Sequence, residues 1–459
     1  MSSWRARVLR LLLFALCPLP AGSLAQTTGD IEGRVTDPSG GGLAGATVTA
    51  TSPNLQGTRV TLTDINGFFR IPAVPPGAYL VRGTLPGFRP AEGVAMVPLD
   101  GTGNVVVMLE PAATAAVVVQ AETPLLDPSA TTGGTSYTSR VIARLPVSRN
   151  YADIVRSNPG VRTDRGDTEG RSLALTVYGA TSAENQWIID GVNTTNVFKG
   201  VQGKAINNEF VQEVEVKTGG YQAEYGRALG GVVNVITKSG GNAFHGDAFL
   251  YFDSADTTAQ QDFLPGDSGV AQMQTVDGER FDFGLDLGGY IFQDRLWFFA
   301  AYNRVELDSE VSRLQPSSEV STEVRFPLDA ETNLYSGKLT WNLGGATTIV
   351  GTVFADPSKS SGASGADPSH QGLGSLEVTP PVSLDPSTWY SERSLGGTDF
   401  GLRATHLFGS NAVATLQGSY HRDRNALNAP PGARTEDRTC EGGTPEEPCF
   451  APPEPHSIT

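Results

Sequence analysis

Apolar and polar positions alternate with a period of two along most of this chain. Ile31, Gly33 and Val35 alternate with Glu32, Arg34 and Thr36, and Val48 and Ala50 alternate with Thr47, Thr49 and Thr51. Tyr79 and Val81 alternate with Leu80 and Arg82, and residues 105–109 form a short apolar run. Turn residues cluster at 37–40, 64–67 and 75–77. Short strands at this spacing predict an antiparallel β-sandwich over residues 27–111. Further on, Val214 and Val216 alternate with Glu213 and Glu215, which predicts one buried face and one wet face. Residues 232–236 are nearly all apolar, as expected of a strand covered on both sides. Between these stretches, Asn158-Pro159-Gly160 stops a short helical pattern.

From residue 243 the alternation becomes regular. Phe281, Phe283, Leu285 and Leu287 alternate with Asp282, Gly284, Asp286 and Gly288. Tyr335, Leu339, Trp341 and Leu343 alternate with Ser336, Lys338, Thr340 and Asn342. Residues 243–253, 295–305, 346–356, 397–407 and 412–422 read as further strands. That makes seven strands of about ten residues, the length a tilted strand needs to cross a bilayer. Segments 292–294, 344–345 and 408–411 are short turns, whereas 254–280, 306–332 and 357–396 are long and polar. Short and long connections therefore fall on opposite sides, as in outer-membrane barrels. A soluble sandwich is the competing reading.

The first 25 residues read as an address. Arg5, Arg7 and Arg10 give a positive start, the stretch 8–19 is apolar apart from Arg10, Cys17 and Pro18, and Ser23-Leu24-Ala25 supplies the small residues of a cleavage site after Ala25. The run is shorter than the ~20 residues a membrane-crossing helix needs. Cys17 lies within this segment and is discarded with it.

Composition removes several function classes. A net charge of −16 argues against nucleic acid as a partner, which would require a basic face. Three cysteines and five histidines in 459 residues exclude a dense disulfide scaffold and a Cys-rich zinc module. No His-x-x-Glu pair occurs, and residues 27–111 contain no histidine, so a zinc hydrolase lacks its ligands. Gly266-Asp267-Ser268-Gly269 matches a serine-protease tetrapeptide but has no supporting histidine. His245, His406 and His421 sit on expected strands without partner ligands. Acidic segments 254–280 and 306–332 lack the spacing of a calcium loop and read as solvated surface. Glu224, Arg227 and Asp190 read as local salt bridges and turn caps. The expectation is no enzyme, no metal and no cofactor.

Specific motifs add a family resemblance. Gly33 to Asp37, Leu43 to Val48, Thr63 to Phe69 and Pro76 to Tyr79 resemble the carboxypeptidase regulatory-like domain, a transthyretin-like module grouped with carbohydrate-binding-like folds. Leu145-Pro146-Val147-Ser148-Arg149-Asn150-Tyr151, Trp187 to Gly191, Val211 to Tyr221 and Gly230 to Gly240 resemble the plug of TonB-dependent outer-membrane receptors. The combination is most similar to their Oar-like group. Val117, Val118, Val119 and Gln120, between the two modules, resemble the TonB box of such receptors.

The resemblance implies a mainly β chain in the following order. A signal peptide (1–25) precedes a transthyretin-like β-sandwich (27–111) and a linker with the TonB-box-like segment (112–136). An α+β plug (137–241) and the first strands of a transmembrane antiparallel β-barrel (243–459) follow. It also implies residence in outer-membrane lipid, a periplasmic N-terminal domain, and the TonB C-terminal domain as partner. The extracellular ligand could be a glycan, a siderophore or a peptide. An anchored adhesion or protein-export component, its sandwich binding glycan or a periplasmic partner, is the alternative. Family barrels have about 22 strands, so seven correspond to the N-terminal part of one. The sequence is then truncated, or the other strands reside elsewhere. Cys440 and Cys449 fall in an expected outer segment, where a disulfide is plausible in an oxidising compartment.

Overall fold

A computed structural model describes residues 27–111, 133–164, 174–196, 200–222, 225–257, 272–315, 322–363, 390–409 and 412–428. The segment read as a signal peptide lies outside them.

The N-terminal sandwich consists of β1 (Gly29–Thr36), β2 (Thr47–Thr51), β3 (Arg59–Leu62), β4 (Phe68–Val74), β5 (Gly77–Thr84), β6 (Ala91–Val97) and β7 (Thr102–Met108). One sheet runs β4-β1-β7 and the other β3-β2-β5-β6. The inward members of the alternation, among them Ile31, Val48, Phe69, Tyr79, Val81 and Val107, form a single core. At the expected 64–67 turn, the Asp64 carboxylate accepts from the amides of Asn66 and Phe68, each at 2.8 Å. Gly33 has no room for a side chain: a Cβ there would lie 2.1 Å from the Val105 carbonyl oxygen and 2.6 Å from the Phe69 ring.

The middle unit contains β8 (Gly133–Thr138), β9 (Val161–Thr163), β10 (Leu175–Val177), β11 (Gln186–Ile189), β12 (Val192–Asn193), β13 (Val211–Gly219) and β14 (Val232–Thr237). Its main sheet has the order β12-β11-β14-β13-β8. Two short helices, α1 (Ser139–Ile142) and α2 (Tyr151–Arg156), pack on it. Asn150 caps α2 by accepting from the Ala152 amide at 3.0 Å. The helix stops before Asn158-Pro159-Gly160, where Gly160 takes φ +81°. Every residue of β14 is buried, as its continuous apolar run predicts. On β13, Val214 and Val216 face the core. The opposite face is not wet, contrary to the alternation: Glu213 and Lys217 are each 2% exposed. The sandwich covers that face through the turn between β6 and β7, which the local pattern of β13 could not reveal.

The third unit is a wall of β15 (Ala248–Ser254), β16 (Gln272–Phe292), β17 (Leu296–Gln315), β18 (Thr322–Leu343), β19 (Thr347–Ala355), β20 (Ser358–Ala363), β21 (Tyr390–Phe408) and β22 (Ala412–Asn428). All its pairings are antiparallel, in the order β15-β16-β17-β18-β19-β21-β22. β20 continues the line of β19 beyond Asp356-Pro357, pairing with β18 and β21. The wall therefore has seven rows. Phe281, Leu285 and Leu287 point out and are exposed, whereas Asp282 and Asp286 point in and are buried against the middle unit. Tyr335, Leu339 and Trp341 likewise face out, and Ser336, Lys338 and Thr340 face in.

Strand lengths depart from expectation. β16 has 21 residues and β18 has 22, about twice the predicted span. Residues 272–280, 306–315 and 322–332, read from polarity as loops, belong to strands. A ladder satisfies its backbone groups in water as well as in lipid, so strand persists where the apolar outer stripe ends. Gly344 and Gly345, with φ +73° and +85°, make the short turn expected there.

The crowding at Gly33 generates a prediction. Gly33→Ala should destabilise the sandwich by about 1–3 kcal/mol through overpacking. Hydrogen exchange of the full chain should then rise in β1, β4 and β7 and stay unchanged in β14.

Candidate functional site

The most developed polar site is the seam between the middle unit and the wall. The Leu145–Tyr151 motif supplies Arg149. Its guanidinium pairs with Asp282 of β16 at 3.1 Å and with Glu209 at 3.2 Å. It also lies over the rings of Phe249 and Tyr251, 4.4 and 3.9 Å from their centroids. Burial raises the pKa of Glu209, with Arg149 opposing the shift.

Beyond the β11–β12 hairpin, residues 200–207 are pinned by Gln202. Its amide nitrogen donates to Asn150 at 3.0 Å and to the Lys204 carbonyl at 2.9 Å. Tyr151 donates to the same carbonyl at 3.1 Å. Lys204 is thereby aimed into the wall, where its side chain is fully buried. Its ammonium lies 3.3 Å from Asp356, 3.6 Å from Asp399 and 3.6 Å from Asp423. Asp399 also pairs with His421, and Asp356 accepts from the Ala205 and Gly397 amides. Gly397 is required for this approach, since a Cβ would lie 2.6 Å from the Lys204 ammonium and 1.8 Å from the Arg422 carbonyl oxygen.

The β11–β12 hairpin turns on Asp190 and Gly191, with φ +49° and +82°. Both central residues in this conformation make a type I′ turn. The Asp190 carboxylate accepts from the Thr237 amide at 3.1 Å and from Lys338 of β18 at 2.8 Å. Gln417 of β22 donates to the Gly191 carbonyl at 2.6 Å. Lys238, just after β14, pairs with Asp286 at 3.1 Å. Three cations of the middle unit thus meet wall carboxylates, and one wall cation meets a middle-unit carboxylate.

Asp190 is therefore a contact to the wall as well as a turn residue, which the reading of a local cap did not include. Asp282, Asp286 and Lys338 were legible as inward members of the strand alternation. Lys204, Asp356, Asp399 and Asp423 carried no motif; only their convergence in space marks them. Val117, Val118, Val119, Gln120, Glu224, the 266–269 tetrapeptide, Cys440 and Cys449 lie outside the described residues. His406 pairs with Thr347 at 2.8 Å. Among the described residues, no three His, Cys, Asp or Glu side chains are arranged to hold a metal ion.

Comparison with known proteins follows the three units. Residues 30–110 match the carboxypeptidase regulatory-like domain. Residues 128–232 match the TonB-dependent receptor plug domain, and residues 236–320 match an outer membrane beta barrel domain. The chain is 30% identical over 408 residues to the TonB-dependent transporter Oar of Myxococcus xanthus, covering 82% of this chain and 36% of that protein. It is 32% identical over 155 residues to the ferrienterobactin receptor of Escherichia coli, covering 30% and 20%. A solved ferric enterobactin receptor of Pseudomonas aeruginosa is similar at 18% identity and a TM-score of 0.41, over 64% of this chain and 42% of that one. The chain thus spans about a third of the length of Oar and a fifth of the ferrienterobactin receptor.

Removing one member of a buried charge set leaves the others unpaired, at a cost of about 3–5 kcal/mol. Lys204→Met should therefore loosen residues 200–210, seen as faster hydrogen exchange and new protease cleavage there. Lys204→Arg should behave closer to the parent chain.

Proposed function

By its matched domains the chain belongs to the TonB-dependent receptors of the bacterial outer membrane, and from this we propose that it takes up a large or scarce ligand with energy relayed from the inner membrane. The observation that carries this reading is how the plug is seated. Arg149, Lys204, Lys238 and Asp190 hold it to the wall through charged pairs. An apolar seam loses roughly 25 cal/mol for each Å² returned to water, so a plug held that way resists displacement in proportion to its area. Charged pairs behave differently: their groups regain hydration as water enters, so they resist a pull less than the apolar contacts that Phe299, Leu334 and Phe354 make in the same seam.

In this reading Val117, Val118, Val119 and Gln120 pair strand to strand with the TonB C-terminal domain, main-chain hydrogen bonds giving the affinity. The first plug element to feel the pull is β8. It lies at the edge of the plug sheet, with β13 as its neighbour among the described strands. The ligand enters from outside, and the relatives named for ferric enterobactin make a ferric siderophore the first one to try. The chemistry is transport; no cofactor takes part.

Val118→Pro removes a main-chain donor and should weaken binding of the purified TonB C-terminal domain at least about tenfold. Titration calorimetry on the detergent-solubilised chain reads this directly. Unchanged affinity would refute the coupling segment, and adhesion that persists in de-energised cells would favour an anchored binding protein.

A further inference from the structure

The turn joining β6 and β7 closes over the polar face of β13, and the contact is built from charge. Asp100, at φ +52° in that turn, places its carboxylate 2.5 Å from the Lys217 ammonium and accepts from the Tyr225 hydroxyl at 3.3 Å. Lys217 also lies 3.4 Å from Glu215 and 4.8 Å from the centroid of the Tyr225 ring. The Leu99 amide donates to Glu213 at 3.3 Å, and Ser136 of β8 donates to the same oxygen. The side chains of Asp100 and Lys217 are 3% and 2% exposed, and that of Glu215 is 14% exposed.

The charges do not balance. Asp100 and Glu215 share the Lys217 ammonium, and Glu213, bonded to Leu99 and Ser136, adds a third carboxyl to the same face in a space that the sandwich shields from water. Directly opposite Glu215, the neighbouring strands present the neutral Ser136 of β8 and Asn234 of β14. Among the described residues, the charged groups facing Glu215 are Lys217 and Glu213 on its own strand and Asp100 from the sandwich. Buried like charges do not all ionise together. We propose that this contact is a proton-linked latch: the sandwich stands on the plug when the cluster holds an extra proton and lifts away when that proton leaves.

Glu215 is the group that carries the proton. Burial pushes its pKa up to about 8, with Lys217 opposing and Asp100 and Glu213 adding to the rise. Burial raises Glu213 as well, against its bonds from Ser136 and Leu99. A carboxyl whose pKa rises on docking takes up a proton as it docks. Docking is then fully favoured below the free carboxyl's ordinary value of 4.5. It weakens by up to about tenfold per pH unit as the pH climbs towards 8, and no further beyond.

The latch also shares a strand with the plug's edge. Lys217 and Glu213 bind the sandwich, while the same strand, β13, pairs with β8. The chain between Pro111 and Gly133 is therefore tied at both ends to β13. Under the transport reading above, an open latch leaves β8 to bear the whole pull. The latch itself stands or falls without TonB.

The test measures where the sandwich sits, with no ligand or partner present. Spin labels on Ile65→Cys and Leu229→Cys, both highly exposed, report the sandwich–plug distance in the full chain, with Cys17, Cys440 and Cys449 replaced by serine. At pH 5.5 a single narrow distance is expected, and by pH 8.5 a second, broader population should appear. Glu215→Gln should keep the narrow distance at both values, because it supplies permanent neutrality. Pairing Asp100→Lys with Lys217→Asp should restore docking that either change alone weakens. A distribution identical at both pH values in the parent chain overturns the proposal, as does a pH response undiminished by Glu215→Gln. Neither result bears on whether Val118 contacts TonB.

Discussion

A charge placed between plug and wall has no water to turn to, and that constraint organises the molecule. Each inward strand position of the wall that carries a carboxylate needs a cation from the plug, and each plug cation needs a carboxylate at the right height. Arg149 with Asp282, Lys204 with Asp356, Asp399 and Asp423, and Lys238 with Asp286 are the solutions. Lys338 with Asp190 is the same arrangement reversed. A one-residue slip of any wall strand would turn its carboxylates to the lipid and its Phe or Leu residues to the plug. The ion pairs and the apolar outer stripe therefore fix the same register.

Apolar packing works beside these pairs. The plug core gathers β11, β13, β14 and α2 around Trp187 and Tyr151, whose rings meet edge-on at 5.8 Å, and Phe299, Leu334 and Phe354 of the wall join the same core. The sandwich closes on its own core of alternating strands. Each unit is held together by burial, while the joints between units carry much of the buried charge.

Much of this was legible in the alternation. Phe281 to Gly288 and Tyr335 to Leu343 gave both the strands and their faces, because a two-sided strand between lipid and a polar plug has to alternate. The buried β14 was legible from its unbroken apolar run, and the start of α2 from Asn150. What was not legible depended on contacts distant in sequence. Polarity in 272–280 and 322–332 suggested loops, because a hydropathy pattern does not distinguish a hydrated strand from a loop. The Glu213-Glu215-Lys217 face suggested water, because nothing in β13 records that residues 98–101 lie on top of it. Lys204 sits in an irregular segment, and its three carboxylates come from three different stretches of chain.

The length of the wall strands has a consequence for the far rim of the wall. At ~3.3 Å per residue and a tilt near 45°, the 21 residues of β16 rise about 50 Å, roughly twice the ~25 Å apolar band of such barrels. The surplus stands outside the bilayer as paired sheet. That part of the wall is a rigid collar already ordered by its ladder, so a molecule that docked on it would cost the sheet little conformational freedom.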